Sequence, residues 1–241
     1  PGLGYDVVIP TGNTVNITAA ASARSIQANG NATINLSANL TISQASTLGT
    51  GVTTNWSNGT LTGGGSLTNS GTLNFINNAN KTIVGPTTLN NVGTINFNGL
   101  GDLVLSNGLV NNLALGTINL STNDANISFS SSATELLTNA GTINANVLSG
   151  TATIDCAFSN SGTINVQAGT LELSNAENIF TGGVYNVSAA ATLQCQSTIT
   201  CSGTLTGTIN GAFNWAGIFS VPAAATFNFT GNAPVYWNSG S

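Results

Sequence analysis

Few side chains in this 241-residue chain can perform acid–base or nucleophilic chemistry. The charged set has two basic residues, seven acidic residues and no histidine. It consists of Arg24, Lys81, Asp6, Asp102, Asp124, Asp155, Glu135, Glu172 and Glu177. A Ser-His-Asp triad cannot be assembled without a histidine. Two cations are too few to neutralise nucleic-acid phosphates or to bind an anionic membrane surface, so we expect neither partner.

Paired carboxylates are the remaining route to catalysis, since glycoside hydrolysis usually needs two of them about 5–10 Å apart. Asp155 with Glu172 or Glu177 is the candidate pair, yet no basic residue flanks it. Asp102 and the other acids are scattered along the chain. Solvated positions on outer strand faces explain these acids better than catalysis does. We therefore predict a protein that is not an enzyme and has no catalytic residues.

Metal and cofactor sites have little support. Asp124 with Asn123 and Asn126 offers oxygen ligands that Ca²⁺ accepts, but an ordinary Asn/Asp turn explains the same cluster. The glycine- and aspartate-rich nonapeptide of calcium-binding β-rolls is absent. We predict no metal and no cofactor.

Three cysteines, Cys156, Cys195 and Cys201, each follow an apolar residue by two positions. In a strand that spacing places both side chains on the same side. We predict three buried thiols that act as small hydrophobic residues. A Cys195–Cys201 disulfide across a turn is the alternative.

The composition indicates a folded protein outside the cell. Hydrophobic residues make up 41% of the chain and charged residues 4%, the reverse of a disordered segment. No run of eighteen apolar residues occurs, so no membrane insertion is expected. The chain contains no Met, which suggests a processed protein or a piece of a longer one. A surface of Asn, Thr, Ser and Gly offers few sites to trypsin-like proteases, which fits an extracellular or cell-surface location.

A short motif returns along the middle of the chain: Asn, any residue, Gly, Thr, Ile or Leu, Asn and an apolar residue. Its copies cover residues 69–75, 91–97, 115–120, 139–145 and 160–166. The third copy lacks the Asn two positions before its Gly. Successive motif glycines are 22, 23, 25 and 21 residues apart. Internal repeats of this length indicate a solenoid.

Each repeat also holds further alternating runs, such as residues 82–84, 102–105 and 126–129. A 22-residue period accommodates two or three strands of about five residues each. We predict an all-β fold, a single elongated parallel β-solenoid of about ten coils and roughly 50 Å in length. A string of β-sandwich modules would contain unlike strands instead of this repeat.

Two motif positions have expected roles in the solenoid. The glycine provides a positive φ at a corner or allows close approach between coils. The Asn before the turn either adopts left-handed geometry or stacks as a hydrogen-bonded ladder.

One domain is expected because no charged or proline-rich linker divides the chain. Residues 1–48 are predicted to form irregular N-terminal coils or a cap, 49–210 the regular repeats, and 211–241 aromatic-rich terminal coils that could plug the core. The ends of a solenoid are unpaired strand edges. We therefore expect self-association by end-to-end stacking, or continuation into further repeats.

Residues 49–210 resemble the repeat regions of large secreted bacterial adhesins, such as autotransporter passengers and filamentous-haemagglutinin-like proteins. The resemblance rests on the Gly-Thr-Ile/Leu-Asn motif and on runs such as residues 162–173. It implies export, a parallel β-helix and a role as a stalk, fibre or adhesive surface. The family's passenger-translocating barrel and secretion signal are missing here, which leaves secretion route and anchoring open.

The motif also predicts a surface that could bind a ligand. Alternate strand residues point to opposite sides, so inward Ile or Leu directs the flanking Thr and Asn outward. The predicted columns are Thr72, Thr94, Thr117, Thr142 and Thr163, beside Asn74, Asn96, Asn119, Asn144 and Asn165. Such an array could dock onto a glycan, a mineral or ice. The simpler interpretation is that Thr favours strands and Asn favours positions near turns. A polysaccharide-active β-helix enzyme is a further alternative.

Overall fold

The computed structural model describes residues 4–130, 136–175 and 177–237. These residues form 29 strands, which pair in parallel, and contain no helix. Most strands pair with the strand three places further along the chain, so one coil contains three strands. The protein is a parallel β-solenoid of about eleven coils with a period of about 21 residues, as predicted.

The first six coils have three separate short strands each. They are β1 (Asp6–Ile9), β2 (Thr14–Ile17), β3 (Ala21–Ala23), β4 (Ser25–Ala28), β5 (Thr33–Leu36), β6 (Leu40–Ile42), β7 (Ser46–Leu48), β8 (Thr53–Trp56), β9 (Gly59–Thr62), β10 (Ser66–Asn69), β11 (Thr72–Phe75), β12 (Lys81–Val84), β13 (Thr88–Asn91), β14 (Thr94–Phe97), β15 (Leu103–Ser106), β16 (Leu109–Asn112), β17 (Thr117–Leu120) and β18 (Asn126–Phe129).

In the later coils several strands continue around a corner. These coils comprise β19 (Leu136–Asn139), β20 (Thr142–Asp155), β21 (Ala157–Asn160), β22 (Thr163–Leu173), β23 (Asn178–Val187), β24 (Thr192–Cys195), β25 (Ile199–Thr208), β26 (Ala212–Trp215), β27 (Phe219–Ser220), β28 (Ala225–Thr230) and β29 (Val235–Trp237).

Stacking of the coils produces three faces, each a parallel sheet. Face 1 contains the strand that opens each coil, such as β1, β10 and β16. Face 2 contains the motif strands, from β2 through β11, β14 and β17 to the first part of β20 and beyond. Face 3 contains the strand that closes each coil, such as β12, β15 and β24. At about 4.8 Å per coil, the rod is roughly 50 Å long.

The motif copies stack in register and fill the core. Leu73 pairs with Ile95, which pairs with Ile118, and Ile143 and Ile164 continue the column. Each of these side chains is at most 1% exposed. Burial of one such aliphatic side chain contributes about 1.5–3 kcal/mol. The repeating aliphatic column is therefore a main source of the stability of the rod.

The motif glycines permit close approach between coils. A Cβ added to Gly93 would lie 2.2 Å from the carbonyl oxygen of Gly71, and one added to Gly162 would lie 2.3 Å from that of Gly141. None of the five motif glycines has a positive φ. The prediction of close approach is confirmed, whereas the prediction of a positive φ is wrong for this motif, because its corner turns through ordinary backbone geometry.

The two ends of the described stack expose apolar groups. At the first coil, Val7, Val15 and Ala21 line an apolar recess of about 100 Å³. At the last coil, the ring of Phe219 stacks on that of Trp215 with centroids 4.8 Å apart. Trp237, also packed against Trp215, is 50% exposed. The aromatic residues near the C-terminus thus cover the end of the core.

Candidate functional site

Face 2 carries the predicted Thr and Asn columns, which we call the Thr/Asn face. In each motif strand the Thr and Asn are partly exposed while the residues between and after them are buried. Register pairing places the ten predicted residues in two straight columns. The Thr column also contains Thr14, Thr33 and Thr53. Both columns therefore begin well before the regular repeats.

The Asn column is a continuous hydrogen-bonded ladder. In each rung the Nδ2 group donates to the Oδ1 atom of the Asn in the preceding coil, over distances of 2.8–3.1 Å. Its members are Asn16, Asn35, Asn55, Asn74, Asn96, Asn119, Asn144, Asn165 and Asn186. The ladder uses one N–H and one lone pair of each inner amide, so each keeps a second N–H for a partner, and all but Asn74, whose Oδ1 atom also accepts from Asn98, keep a second lone pair.

The Thr column differs from the ladder because its hydroxyls are unused. Within the part of the chain that the structure describes, the hydroxyl groups of Thr72, Thr94, Thr117, Thr142 and Thr163 make no hydrogen bond to protein. Each can donate one hydrogen bond and accept two. The column therefore presents one free hydroxyl per coil.

The other two faces lack such regularity. The outward column of face 1 passes from Asn90 and Asn111 to Thr138, Ser159 and Ile179. The outward column of face 3 contains Thr82, Val104, Ser128 and Asp155. These strands are as continuous as those of face 2. Strand formation therefore does not require Thr and Asn at these positions.

A second Asn ladder runs inside the core at the Asn before each motif turn, so the ladder alternative is confirmed and the left-handed one is wrong for these residues. Asn69, Asn91, Asn112, Asn139 and Asn160 are at most 1% exposed, and each Nδ2 group donates to the Oδ1 atom of the Asn in the next coil at 2.7–2.8 Å. The same Nδ2 groups donate to motif-strand carbonyls, for example from Asn91 to Thr117 at 3.1 Å. This inner ladder ties the corner between faces 1 and 2 to the following coil.

The inner ladder ends on a tyrosine. Asn160 donates to the hydroxyl oxygen of Tyr185 at 2.9 Å, and that hydroxyl donates to the carbonyl oxygen of Gly182 at 3.1 Å. Burial raises the pKa of Tyr185 well above its usual range, so the hydroxyl stays protonated and can donate. The tyrosine satisfies the last amide of the ladder.

Asn112 supplies the rung of the third motif copy, which lacks an Asn two positions before its Gly. It lies four residues before Gly116, where the other copies have their Asn two residues before the Gly. Its Nδ2 group donates to the Oδ1 atom of Asn139 at 2.7 Å, in the same way as the other rungs. Sequence spacing missed it because this corner is two residues longer. The sequence signal that could have identified Asn112 was the repeated Asn-Asn pair, because Asn111-Asn112 lies in register with Asn90-Asn91.

Lys81 is a buried cation that the sequence analysis did not identify. Its side chain is excluded from solvent, and its ammonium group donates to the carbonyl oxygen of Asn77 at 3.2 Å. Burial lowers its pKa, and the nearby charge of Asp102 opposes that shift only in part. The alternation Lys81-Thr82-Ile83 places Lys81 on the same side as buried Ile83, which was the available signal.

At the calcium candidate, the side chain of Asn126 is engaged by other residues of the chain. Asn126 donates to the carboxylate of Asp102 at 3.2 Å and accepts from the backbone of Thr153. Asp124 occupies a turn with φ of 61°, as the turn interpretation expects. Burial raises the pKa of Asp102, while the bond from Asn126 lowers it. The described residues include no group of three or more His, Cys, Asp or Glu able to hold a metal.

The structure brings only part of the carboxylate set together. Asp155 and Glu172 lie on neighbouring coils of face 3, because Thr153 pairs with Glu172. Asp155 accepts a hydrogen bond from Ser174 at 2.8 Å. Glu177 lies outside the strands, just before β23. Glu135 lies outside the described residues.

All three cysteines are buried, as predicted, and none is in a disulfide. Burial raises the pKa of Cys201 to about 12 and that of Cys195 well above its usual range. Both thiols therefore remain protonated at neutral pH and pack as small apolar groups.

Comparisons with models of protein families, with curated proteins and with solved structures find no match for this chain. In the portion that the structure describes, no helix is long and apolar enough to cross a membrane.

Proposed function

We propose that the protein is a non-enzymatic extracellular rod that serves as a stalk or fibre segment of a bacterial surface adhesin. The observation that carries this proposal is the unbroken stack of about eleven coils around one continuous core. Such a stack gives each coil contacts only with its neighbours, so length can grow without a change of fold. That property suits a spacer.

The internal bonding favours a stiff rod. Three parallel sheets join successive coils, and the outer and inner Asn ladders add side-chain bonds along the same axis. Bending the rod would lengthen hydrogen bonds on one side of every coil. The structure therefore supports a mechanical role.

The scarcity and shielding of basic residues support an extracellular location, because they limit cleavage by trypsin-like proteases. The chain has only two Lys or Arg residues. Lys81 is excluded from solvent, and Arg24 is held in an ion pair with Asp6. A trypsin-like protease meets almost no accessible site on the folded rod, which suits a protein exposed to secreted proteases.

The ends support self-association or continuation into further coils. Within the described residues, the Nδ2 group of Asn16 donates to no acceptor, and the hydroxyl of Thr230 occupies the same column at the last coil. A second copy stacked on the last coil would place Asn16 above Thr230, whose hydroxyl oxygen can accept a hydrogen bond from the Asn16 amide. Further coils of the same polypeptide would cover the end equally well.

Small-angle scattering and sedimentation velocity of the 241-residue chain test the rod. We expect a particle roughly 50 Å long. Its apparent length should increase with concentration in multiples of that length, because copies stack end to end. Gold-labelled antibodies should decorate the surface of intact source cells. A compact particle, or label found only after lysis, contradicts the proposal.

A further inference from the structure

The Thr/Asn face repeats the same two groups in two dimensions. From Thr72 to Asn165 it presents one Thr and one Asn per coil, at a rise of about 4.8 Å. The two columns are separated by two strand residues, about 6.6 Å. Because faces 1 and 3 lack this pattern on equally regular strands, the need to form a strand does not explain it.

The groups of this face are also held in place before any partner arrives. Each Asn side chain is fixed by bonds to the coils above and below, such as Asn119 to Asn96 at 2.8 Å and Asn144 to Asn119 at 2.9 Å. Thr is β-branched, which restricts its χ1 angle. Docking therefore loses little side-chain entropy.

The chemistry of the face disfavours a protein or a small soluble ligand. Its two columns from Thr72 to Asn165 contain no aromatic or charged residue, whereas Trp, Tyr and Arg dominate the binding energy of protein interfaces. Two apolar cavities lie inside the N-terminal core, lined by residues such as Ile9 and Ile17, and not on this face. A flat face without a pocket buries too little of a single small molecule.

A partner whose own groups repeat in a lattice can contact every rung of the Thr/Asn face at once. Each rung adds the same weak contact, and many linked contacts bind far more tightly than one. The free Thr hydroxyl and the unused N–H and lone pair of Asn donate and accept, as water does. We infer that the Thr/Asn face docks onto ordered water at the surface of ice.

Ice partition and thermal hysteresis of the whole chain test this inference. The test variant is Thr94→Lys with Thr117→Lys, which places two long charged side chains on adjacent rungs of the Thr/Asn face. The control is Thr60→Lys with Thr82→Lys, which does the same on adjacent rungs of face 3. Circular dichroism establishes that all three proteins are folded.

We expect the wild-type chain to enter growing ice and to produce hysteresis. The control should keep both activities and the test variant should lose most of both. Absence of ice partition in the folded wild type, or equal loss in the control, overturns the inference. Binding to crystalline cellulose or chitin without ice activity also overturns it and assigns the face to a polysaccharide.

This inference rests on the solenoid and not on the stalk role proposed above. An extended, cell-surface rod without ice affinity removes the inference and leaves the stalk. An ice-binding rod absent from the cell surface removes the stalk and leaves the inference.

Discussion

Asn91 and Asn112 lie one above the other in the core, and the Nδ2 group of Asn91 donates to the Oδ1 atom of Asn112 at 2.8 Å. Both residues are fully buried. Without this bond, a buried amide N–H and a buried carbonyl oxygen would each lose a partner. The stability of the coil stack therefore depends on every rung of the inner ladder.

Asn112→Ala should destabilise the protein strongly. It removes the acceptor of Asn91 and the donor to Asn139, and each buried polar atom left without a partner costs about 1–3 kcal/mol. The matched control is Asn119→Ala, which also removes two ladder bonds but on the partly exposed outer face, where water replaces them. Urea unfolding measures both. Equal losses of unfolding free energy in the two variants would show that burial of the inner ladder contributes nothing to stability.

Gly93→Ala should also destabilise the stack, by about 1–3 kcal/mol or more, since the new Cβ would lie 2.2 Å from the carbonyl oxygen of Gly71. Gly4→Ala is the control, because a Cβ there meets no atom within 4 Å and Gly4 has no positive φ. Thermal unfolding compares the two variants. A Gly93 variant as stable as the wild type would mean that the coils separate easily at this corner.

The repeat made the architecture predictable, but it did not reveal every side-chain contact between coils. Period-two alternation around Leu73 and Ile95 was enough to place Thr and Asn outward, because a strand offers only two sides. It could not reveal that Asn74 and Asn96 bond each other, since that depends on the register between coils. Asn112 was missed because a longer corner shifts its spacing from Gly116, although it occupies the same place in space.

The cysteine thiols should resist alkylation in the folded protein. Cys195 and Cys201 are buried and their raised pKa values keep them protonated, whereas the thiolate is the reactive form. Iodoacetamide at pH 8 should therefore label them only after unfolding in urea, as read by mass spectrometry. Rapid labelling of the native chain would contradict the packing at the C-terminal coils.

Trypsin should cleave the native chain only after Arg24, if it cleaves at all. Lys81 is buried within β12, so the bond to Thr82 cannot enter a protease active site without local unfolding. Peptide mapping before and after heating measures this. As a control, Arg24→Gln should leave the folded chain resistant to trypsin while the heated chain is still cut after Lys81. Cleavage after Lys81 in the folded chain would show that the fourth coil opens.

Because the amine of Lys81 is buried, the free energy of unfolding should depend on pH in the alkaline range. Burial lowers its pKa in the folded state, so between that value and about 10.4 the unfolded chain binds more protons than the folded one. Stability from this group therefore rises with pH through that window and levels off above about 10.4. The buried Tyr185 and Cys195 act in the opposite sense, because their raised pKa values make the folded state hold protons to higher pH.

Comparison with Lys81→Met, of similar length and without charge, isolates the contribution of the lysine. The free energy of unfolding of the wild type relative to this variant should increase from pH 7 to pH 10.5. A constant difference over this range would show that the amine keeps its ordinary pKa and that its burial carries no electrostatic cost.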